Sequence, residues 1–387
     1  MTAFSTTMRN AFRLTRRGDL RAATALIREA LQPTANSNVA PIDVEFSVVS
    51  DHVSPHANAQ PAPVGPHRVA AFLPAPADAS DVQPDFDAPG RTIPASAGHF
   101  LAGRFSNKAG SRAYKLWIPS HAPGPAARKP LIVMLHGCTQ DADDFATGTR
   151  MNQHAERIGA YVLYPIQTGT ANAQRCWRWF QATDQKRDSG EPSIIAEMTR
   201  KVMHEYPIDP RRVYVAGLSA GGAMAAILGE TYPDVFAAIG VHSGLAYGAA
   251  HDVPSAFAAM AGRPSGNAGA SLPPALLGQT PAAAIVFHGD RDSTVVAANA
   301  DALVEQLAAR HSAVRRGSAA QAENGQNYTC SRLYKANGAV AVEQWTLHGR
   351  GHAWSGGDPR GSYTDSAGPD ASARMLEFFL QHEMQPR

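Results

Sequence analysis

The stretch Arg212-Val213-Tyr214-Val215-Ala216-Gly217-Leu218-Ser219-Ala220-Gly221-Gly222 decides the reading of this chain. A β-rich run enters the pentapeptide Gly217-Leu218-Ser219-Ala220-Gly221, and a helix-like run, Ala220 to Tyr232, leaves it. G-x-S-x-G between a strand and a helix reads as a sharp turn that pushes a serine hydroxyl outward. Only residues without bulk fit two positions to either side of that serine. The helix that follows offers backbone N–H groups and the positive end of its dipole to a developing oxyanion. Ser219 is therefore the candidate nucleophile.

A serine hydroxyl is a weak nucleophile at neutral pH, so a histidine base and a carboxylate to orient that base should follow it in the chain. The segment Ala284-Ile285-Val286-Phe287-His288-Gly289-Asp290-Arg291-Asp292 places two aspartates just past a strand-like run. Asp292 is favoured, because the chain must first turn at Gly289, and Asp290 is read as a turn residue bonded within its own loop. For the base, the chain holds fifteen histidines. His352 alone lies after the acid, at a strand end, in the glycine-rich loop Gly349-Arg350-Gly351-His352-Ala353-Trp354. His348 is the near competitor, while His311 and His382 fall where solvated roles are expected.

One oxyanion donor should be the N–H of Ala220, and the second an N–H from the loop after an early strand. His136-Gly137-Cys138-Thr139-Gln140 follows Leu131–Leu135, and Cys138 is assigned the second donor through its main chain. A further loop, Arg175-Cys176-Trp177-Arg178-Trp179-Phe180, gathers aromatics in a chain where they are only 7% of residues. With Trp354 beside the base, Trp177 and its neighbours suggest an apolar substrate wall. Buried packing is the competing reading for each.

Elsewhere, β-rich runs at Ser111–Ile118, Pro130–Leu135, Ala160–Tyr164, Arg212–Ala216, Ala237–His242, Ala283–His288 and Val340–Leu347 alternate with helical stretches. The helices are expected at Asp143–Ile158, Glu191–Glu205, Ala220–Tyr232, Ala297–Arg310 and Asp370–Gln381. That alternation predicts an α/β fold, a mainly parallel sheet covered by helices, over residues 98–387. Residues 1–35 read as a helical hairpin with Leu20, Ala23, Ile27, Ala30 and Leu31 on one face. Residues 36–97 read as a Pro/Ala/Asp-rich linker that cannot offset its ordering entropy by burial.

A net charge of +2 over 387 residues offers no electrostatic footprint for nucleic acid. No apolar run approaches a membrane span, and the arginine-studded beginning lacks a secretory apolar core. The three cysteines, Cys138, Cys176 and Cys330, match no zinc pattern, and reduced thiols in the cytoplasm are expected. Cys138 and Cys176 sit in loops assigned to the same site, so they could pair; their spacing does not decide it. No metal or cofactor is called for by the serine chemistry.

Four stretches together, Leu135-His136-Gly137-Cys138-Thr139-Gln140, Cys176-Trp177-Arg178-Trp179-Phe180, Gly217-Leu218-Ser219-Ala220-Gly221-Gly222-Ala223-Met224 and Gly351-His352-Ala353-Trp354-Ser355-Gly356-Gly357, resemble the poly(3-hydroxybutyrate) depolymerase esterase family. That family also contains feruloyl and acetylxylan esterases. From about Phe100 onward the resemblance implies an α/β-hydrolase domain with Ser219, Asp292 and His352 as its triad. It implies His136 as an oxyanion histidine and Trp177 and Trp354 as substrate-site residues. It further implies cleavage of hydroxyalkanoate polyester or its oligomers, with feruloyl or acetyl esters as the alternative; the competing reading from a different class is a non-catalytic granule-binding protein. The expected setting is that of the intracellular members, in the cytoplasm, with the helical hairpin as a contact to a polyester granule surface.

Overall fold

The residues Leu131–Leu135 form the plainest case of sequence dictating structure: an unbroken apolar run, in which Leu131, Val133 and Leu135 enter one core while Ile132 and Met134 enter another. A strand with both faces buried needs that composition. The computed structural model describes residues 98–120, 128–263, 281–323 and 326–384. The expected helical hairpin and linker lie outside the described residues.

The strands are β1 (His99–Asn107), β2 (Gly110–Ile118), β3 (Lys129–Leu135), β4 (Tyr161–Ile166), β5 (Ile208–Leu218), β6 (Ala238–His242), β7 (Ala283–Gly289), β8 (Val314–Glu323), β9 (Gln326–Tyr334) and β10 (Val340–Leu347). They form one sheet in the order β1-β2-β4-β3-β5-β6-β7-β10-β9-β8. From β4 to β10 every neighbouring pair is parallel. Each edge is finished by antiparallel strands, β1 and β2 on one side and β9 and β8 on the other.

The helices are α1 (Ala142–Thr149), α2 (Met151–Ile158), α3 (Gly190–Glu205), α4 (Ala220–Thr231), α5 (Val253–Met260), α6 (Ala298–His311) and α7 (Ala371–Phe379). Buried residues of α3, α4, α5 and α6 share the core of Leu131 and Val133; those of α1, α2 and α7 share the core of Ile132 and Met134. The sheet is thus covered on both faces, as parallel strands require. None of the described helices is long and apolar enough to cross a membrane.

The parallel strands lie where the sequence places them, and three features differ. The helix expected over Asp143–Ile158 is two helices, because Arg150 adopts a left-handed φ of 54° that ends α1 and begins α2. The Arg150 guanidinium then reaches Asp370 at 2.8 Å, a long-range reward that composition does not announce. The edge strands β1, β8 and β9 and the short helix α5 were not expected. β1 alternates exposed with half-buried residues and so carries a weak apolar signal.

Candidate active site

The loops carrying His136, Ser219, Asp292 and His352 emerge at the C-terminal ends of the parallel strands β3, β5, β7 and β10, where an open α/β sheet gathers functional groups. At the end of β5, Ser219 holds φ 57° and ψ −119°, a conformation that a side-chain-bearing residue adopts only when its surroundings impose it. The Ser219 N–H donates to the His242 carbonyl at 2.9 Å, and the Ser219 carbonyl accepts from Ala223 N–H at 2.9 Å. These bonds tie the turn both to the next strand and to α4. The flanking glycines are obligatory for space: a Cβ on Gly221 would lie 2.0 Å from the Leu135 carbonyl oxygen, and one on Gly217 2.4 Å from the Gly221 backbone.

Of the two aspartates after β7, Asp292 is buried and its Oδ2 accepts from His352 Nδ1 at 2.6 Å. Its Oδ1 accepts from the N–H groups of Thr294 and Val295, each at 2.9 Å. Burial alone would raise the Asp292 carboxyl, but the hydrogen bonds from His288, His352 and Val295 outweigh it and hold the carboxyl below its ordinary range. A carboxylate held ionised in this way fixes the His352 proton on Nδ1 and leaves Nε2 with a free lone pair, the form a base requires. Ser219 Oγ and His352 Nε2 are not hydrogen-bonded to each other in this structure.

Asp290 also finds a histidine, though not within its own loop. It accepts from His348 Nδ1 at 2.9 Å and from Gly349 N–H at 2.7 Å, at an exposed position. The two acid and base candidates therefore sort into two pairs, Asp292 with His352 and Asp290 with His348; Asp292 is buried and His352 half-buried, while the second pair is exposed. His288 was missed by sequence reasoning. Its Nε2–H donates to the Val295 carbonyl at 2.7 Å and lies 3.4 Å from Asp292 Oδ2, behind the carboxylate. Its place four residues before Asp292 was the one signal that could have found it.

The loop after β3 is fixed from several directions. Gly137 N–H donates to Gln140 Oε1 at 2.9 Å, Thr139 N–H to the Gln174 carbonyl at 2.6 Å, and Gln140 N–H to the Gly137 carbonyl at 3.4 Å. The Cys138 N–H is the one backbone donor of Gly137–Gln140 that none of these bonds engages. Neither it nor the Ala220 N–H donates to a turn, loop or cap carbonyl. A Cβ built on Gly137 would come 3.7 Å from the Ser219 Cβ, which sets this loop against the nucleophile.

The side chain of His136 plays a different part from that implied by the resemblance. It is buried, its Nδ1–H donates to the Gly137 carbonyl at 2.7 Å, and its Nε2 accepts from Gln167 N–H at 3.1 Å. Burial pushes its pKa down to about 4, so it stays neutral and acts on the loop backbone. Both ring nitrogens are spent on main-chain groups, so the His136 side chain holds the loop backbone and has no ring N–H free to donate elsewhere. Gln167 in turn holds the Cys176 carbonyl at 3.0 Å and the buried Glu191 carboxylate at 2.6 Å.

Cys138 and Cys176 form a disulfide, which resolves the open pairing and departs from the expectation of reduced thiols. It staples the loop after β3 to the aromatic loop. Trp177 and Trp354 depart from expectation as well: their relative exposures are 0% and 1%, so they are core residues and not an open substrate wall. Trp177 packs 5.6 Å from the His136 ring. Trp354 stacks on His242 at 5.2 Å and meets Phe145 edge-on at 5.5 Å, while Ser355 N–H donates to His242 Nε2 at 3.1 Å. Both tryptophans thus brace the candidate loops from behind. Burial pushes the pKa of His242 down to about 3, keeping it a neutral strut beneath the His352 loop.

The chain resembles known proteins over this same region. A model of the family described as Esterase PHB depolymerase matches residues 112–330. The poly(3-hydroxyalkanoate) depolymerase C of Paucimonas lemoignei is 35% identical over 257 residues, covering 63% of this chain and 59% of that protein. The poly(3-hydroxybutyrate) depolymerase of Ralstonia pickettii is 30% identical over 291 residues, covering 70% of this chain and 58% of that protein. The chain thus spans somewhat under two thirds of the length of these curated relatives. Among solved structures, an acetyl xylan esterase from Aspergillus awamori shares the fold with a TM-score of 0.59 at 17% identity, over 74% of this chain and 99% of that one. With a strained serine elbow, His352 bonded to the buried Asp292 carboxylate and a family match across more than half its length, the chain belongs to the Esterase PHB depolymerase family.

Proposed function

We propose that this protein is a serine ester hydrolase that cleaves 3-hydroxyalkanoate polyester or its oligomers through an acyl-enzyme. The observation that carries the reading is the 2.6 Å contact between His352 Nδ1 and the buried Asp292 carboxylate, beside a serine held at positive φ. In this reading Ser219 Oγ attacks the ester carbonyl while His352 Nε2 takes its proton, and Asp292 stabilises the imidazolium. The N–H groups of Cys138 and Ala220 receive the oxyanion. Collapse of the tetrahedral species expels the alcohol, which takes its proton from His352. Water, activated by the same histidine, then attacks the acyl carbonyl and frees Ser219.

The polyester substrate is supported by the names of the two depolymerases that the chain resembles. The disulfide supports action in an oxidising compartment rather than the cytoplasm, since thiol pairs of this kind persist where glutathione does not reduce them. Contact with a polyester granule surface belongs to the same proposal and is read by cosedimentation of the full chain with amorphous granules.

The test compares the full chain with its Ser219→Ala variant on amorphous poly(3-hydroxybutyrate), hydroxybutyrate oligomers, a p-nitrophenyl ester series and methyl ferulate. Hydroxybutyrate release by the wild type, lowered about 10⁴-fold or more in the variant, is the expected result. Hydrolysis retained in the variant would reject Ser219. Cleavage of methyl ferulate alone would replace the substrate, and polymer binding without any wild-type hydrolysis would make the protein a binder.

A further inference from the structure

Tyr363 is the one large aromatic among the described residues that is both exposed, at 47%, and bonded to the loop carrying Cys138. Its hydroxyl lies 3.3 Å from Thr139 Oγ1, and Thr139 Oγ1 donates in turn to the Cys138 carbonyl at 2.5 Å. On its other side, the Tyr363 carbonyl accepts from Trp354 N–H at 2.7 Å, two residues past His352. The ring thus stands between the loop that offers the oxyanion N–H and the loop that carries the base.

The backbone beneath it is strained. Tyr363 has φ 50°, a left-handed conformation that a bulky aromatic residue rarely takes and that glycine or asparagine would take at little cost. The surroundings impose it. Ser362 N–H donates to Asp144 Oδ1 at 2.7 Å, and Gln140 Nε2 donates to the Ser362 carbonyl at 3.1 Å. Thr364 pairs with Trp354 in the short two-stranded ribbon that follows His352. With both neighbours anchored, the chain has to turn at position 363, and it turns with a tyrosine whose side chain gains little burial. Thr139, Arg175, Ser219 and Ser243, in or beside the loops of this site, also sit at positive φ, at 67°, 51°, 57° and 51°. Strain gathered in this way marks positions retained for what their side chains do.

Because Trp177 and Trp354 are buried, the apolar contact expected of them has to come from elsewhere. Resting on the esterase reading above, we propose that Tyr363 is the substrate-contacting aromatic of the site, a specificity-determining residue that grips the part of an aliphatic ester chain extending past Thr139. An exposed phenol ring beside a polar loop suits a chain in which methylene and methyl groups alternate with ester carbonyls: the ring face covers the hydrocarbon and the hydroxyl meets the ester. In this proposal a short acyl group bound at the Cys138 and Ala220 N–H groups stops short of the ring, and a longer chain reaches it.

The experiment measures kcat and KM of the full chain and of its Tyr363→Ala, Tyr363→Phe and Tyr363→Gly variants on p-nitrophenyl acetate, p-nitrophenyl octanoate and a methyl-capped hydroxybutyrate trimer. Tyr363→Ala is expected to raise KM about tenfold on octanoate and trimer, the effect of uncovering roughly 50–60 Å² of ring. It should leave acetate kinetics and all kcat values within about twofold, the signature of lost uniform binding. Tyr363→Phe should keep KM within about threefold on all three. Tyr363→Gly should repeat the alanine pattern with a Tm no lower than that of Tyr363→Ala, since glycine relieves the backbone. Unchanged KM on octanoate and trimer would overturn the proposal. So would an equal fall in kcat on all three substrates, which would make Tyr363 only a clamp on the Thr139 loop. A wild type inactive on every ester would overturn the esterase reading itself, whereas activity on octanoate but not trimer removes the polyester and leaves Tyr363 to be judged on octanoate.

Discussion

Asp290 and Asp292 are two residues apart, and each accepts from a histidine, yet their settings differ in the one respect that matters for an acid that orients a base. Asp292 is buried and its partner His352 half-buried, whereas Asp290 and His348 face solvent. An exposed pair is screened by water and contributes little. Replacing Asp292 by Asn should therefore lower kcat on p-nitrophenyl acetate by roughly 10³–10⁴-fold, by leaving the wrong tautomer on His352. Asp290→Asn should change it by less than about threefold; equal losses in the two variants would show that the pairs are not distinguished as described. The preference for Asp292 was legible from the turn at Gly289. What Asp290 bonds was not, because His348 reaches it from just past the end of β10, 58 residues away. His288 escaped notice for a related reason: as the last apolar-run neighbour of β7 it looks like a strand end, and its contact with Asp292 exists only once the loop has folded back.

At the scale of elements, the loop after β3 is an instructive case. Its apolar strand and His-Gly start are plain in the sequence, but its rigidity comes from partners far along the chain: Gln174, Gln167, and Cys176 through the disulfide. The bridge spans a sequence separation of 38. Closing a loop of that length in the unfolded chain stabilises the folded state by roughly 4 kcal/mol on the chain-entropy model. Reduction with a thiol that leaves the fold intact should lower Tm by several degrees, about 2–4 °C per kcal/mol for a domain this large. It should also depress kcat more than it raises KM, because the Cys138 N–H loses its fixed aim. Calorimetry and ester kinetics with and without reductant read both effects. An unchanged Tm would remove the disulfide from the stability of the domain. Tryptophans mislead at this scale for a simple reason: a Trp in a glycine-rich loop reads as surface, yet loops that bracket a site are themselves packed onto the sheet.

For the whole molecule, the balance of buried histidines sets a pH dependence. His136, His242 and His311 are pushed down to about 4, about 3 and about 4 from 6.5, burial being the largest cause in each. Between those values and 6.5 the unfolded chain binds protons that the folded chain refuses, so stability falls as pH drops through that window. Each histidine contributes on the order of 3–5 kcal/mol at its acid end. The depressed Asp292 adds a further loss, but only as pH falls below the ordinary carboxylate range. Tm measured by scanning calorimetry should therefore decline from about pH 6.5 toward pH 4, before most carboxylates titrate. A flat Tm across that interval would contradict the burial of these histidines.

The sequence by itself determined the parallel strands, the serine elbow and the order of acid and base, because each rests on local rules: apolar runs that both faces of a sheet must bury, and glycines where nothing larger fits. The tertiary structure decided which histidine meets which aspartate, that Cys138 and Cys176 are joined, that His136 and the two tryptophans brace the site from behind, and that Tyr363 stands exposed beside it. Those outcomes depend on residues brought together across tens to hundreds of positions, and no local pattern encodes a distance between two strand ends before the sheet between them exists.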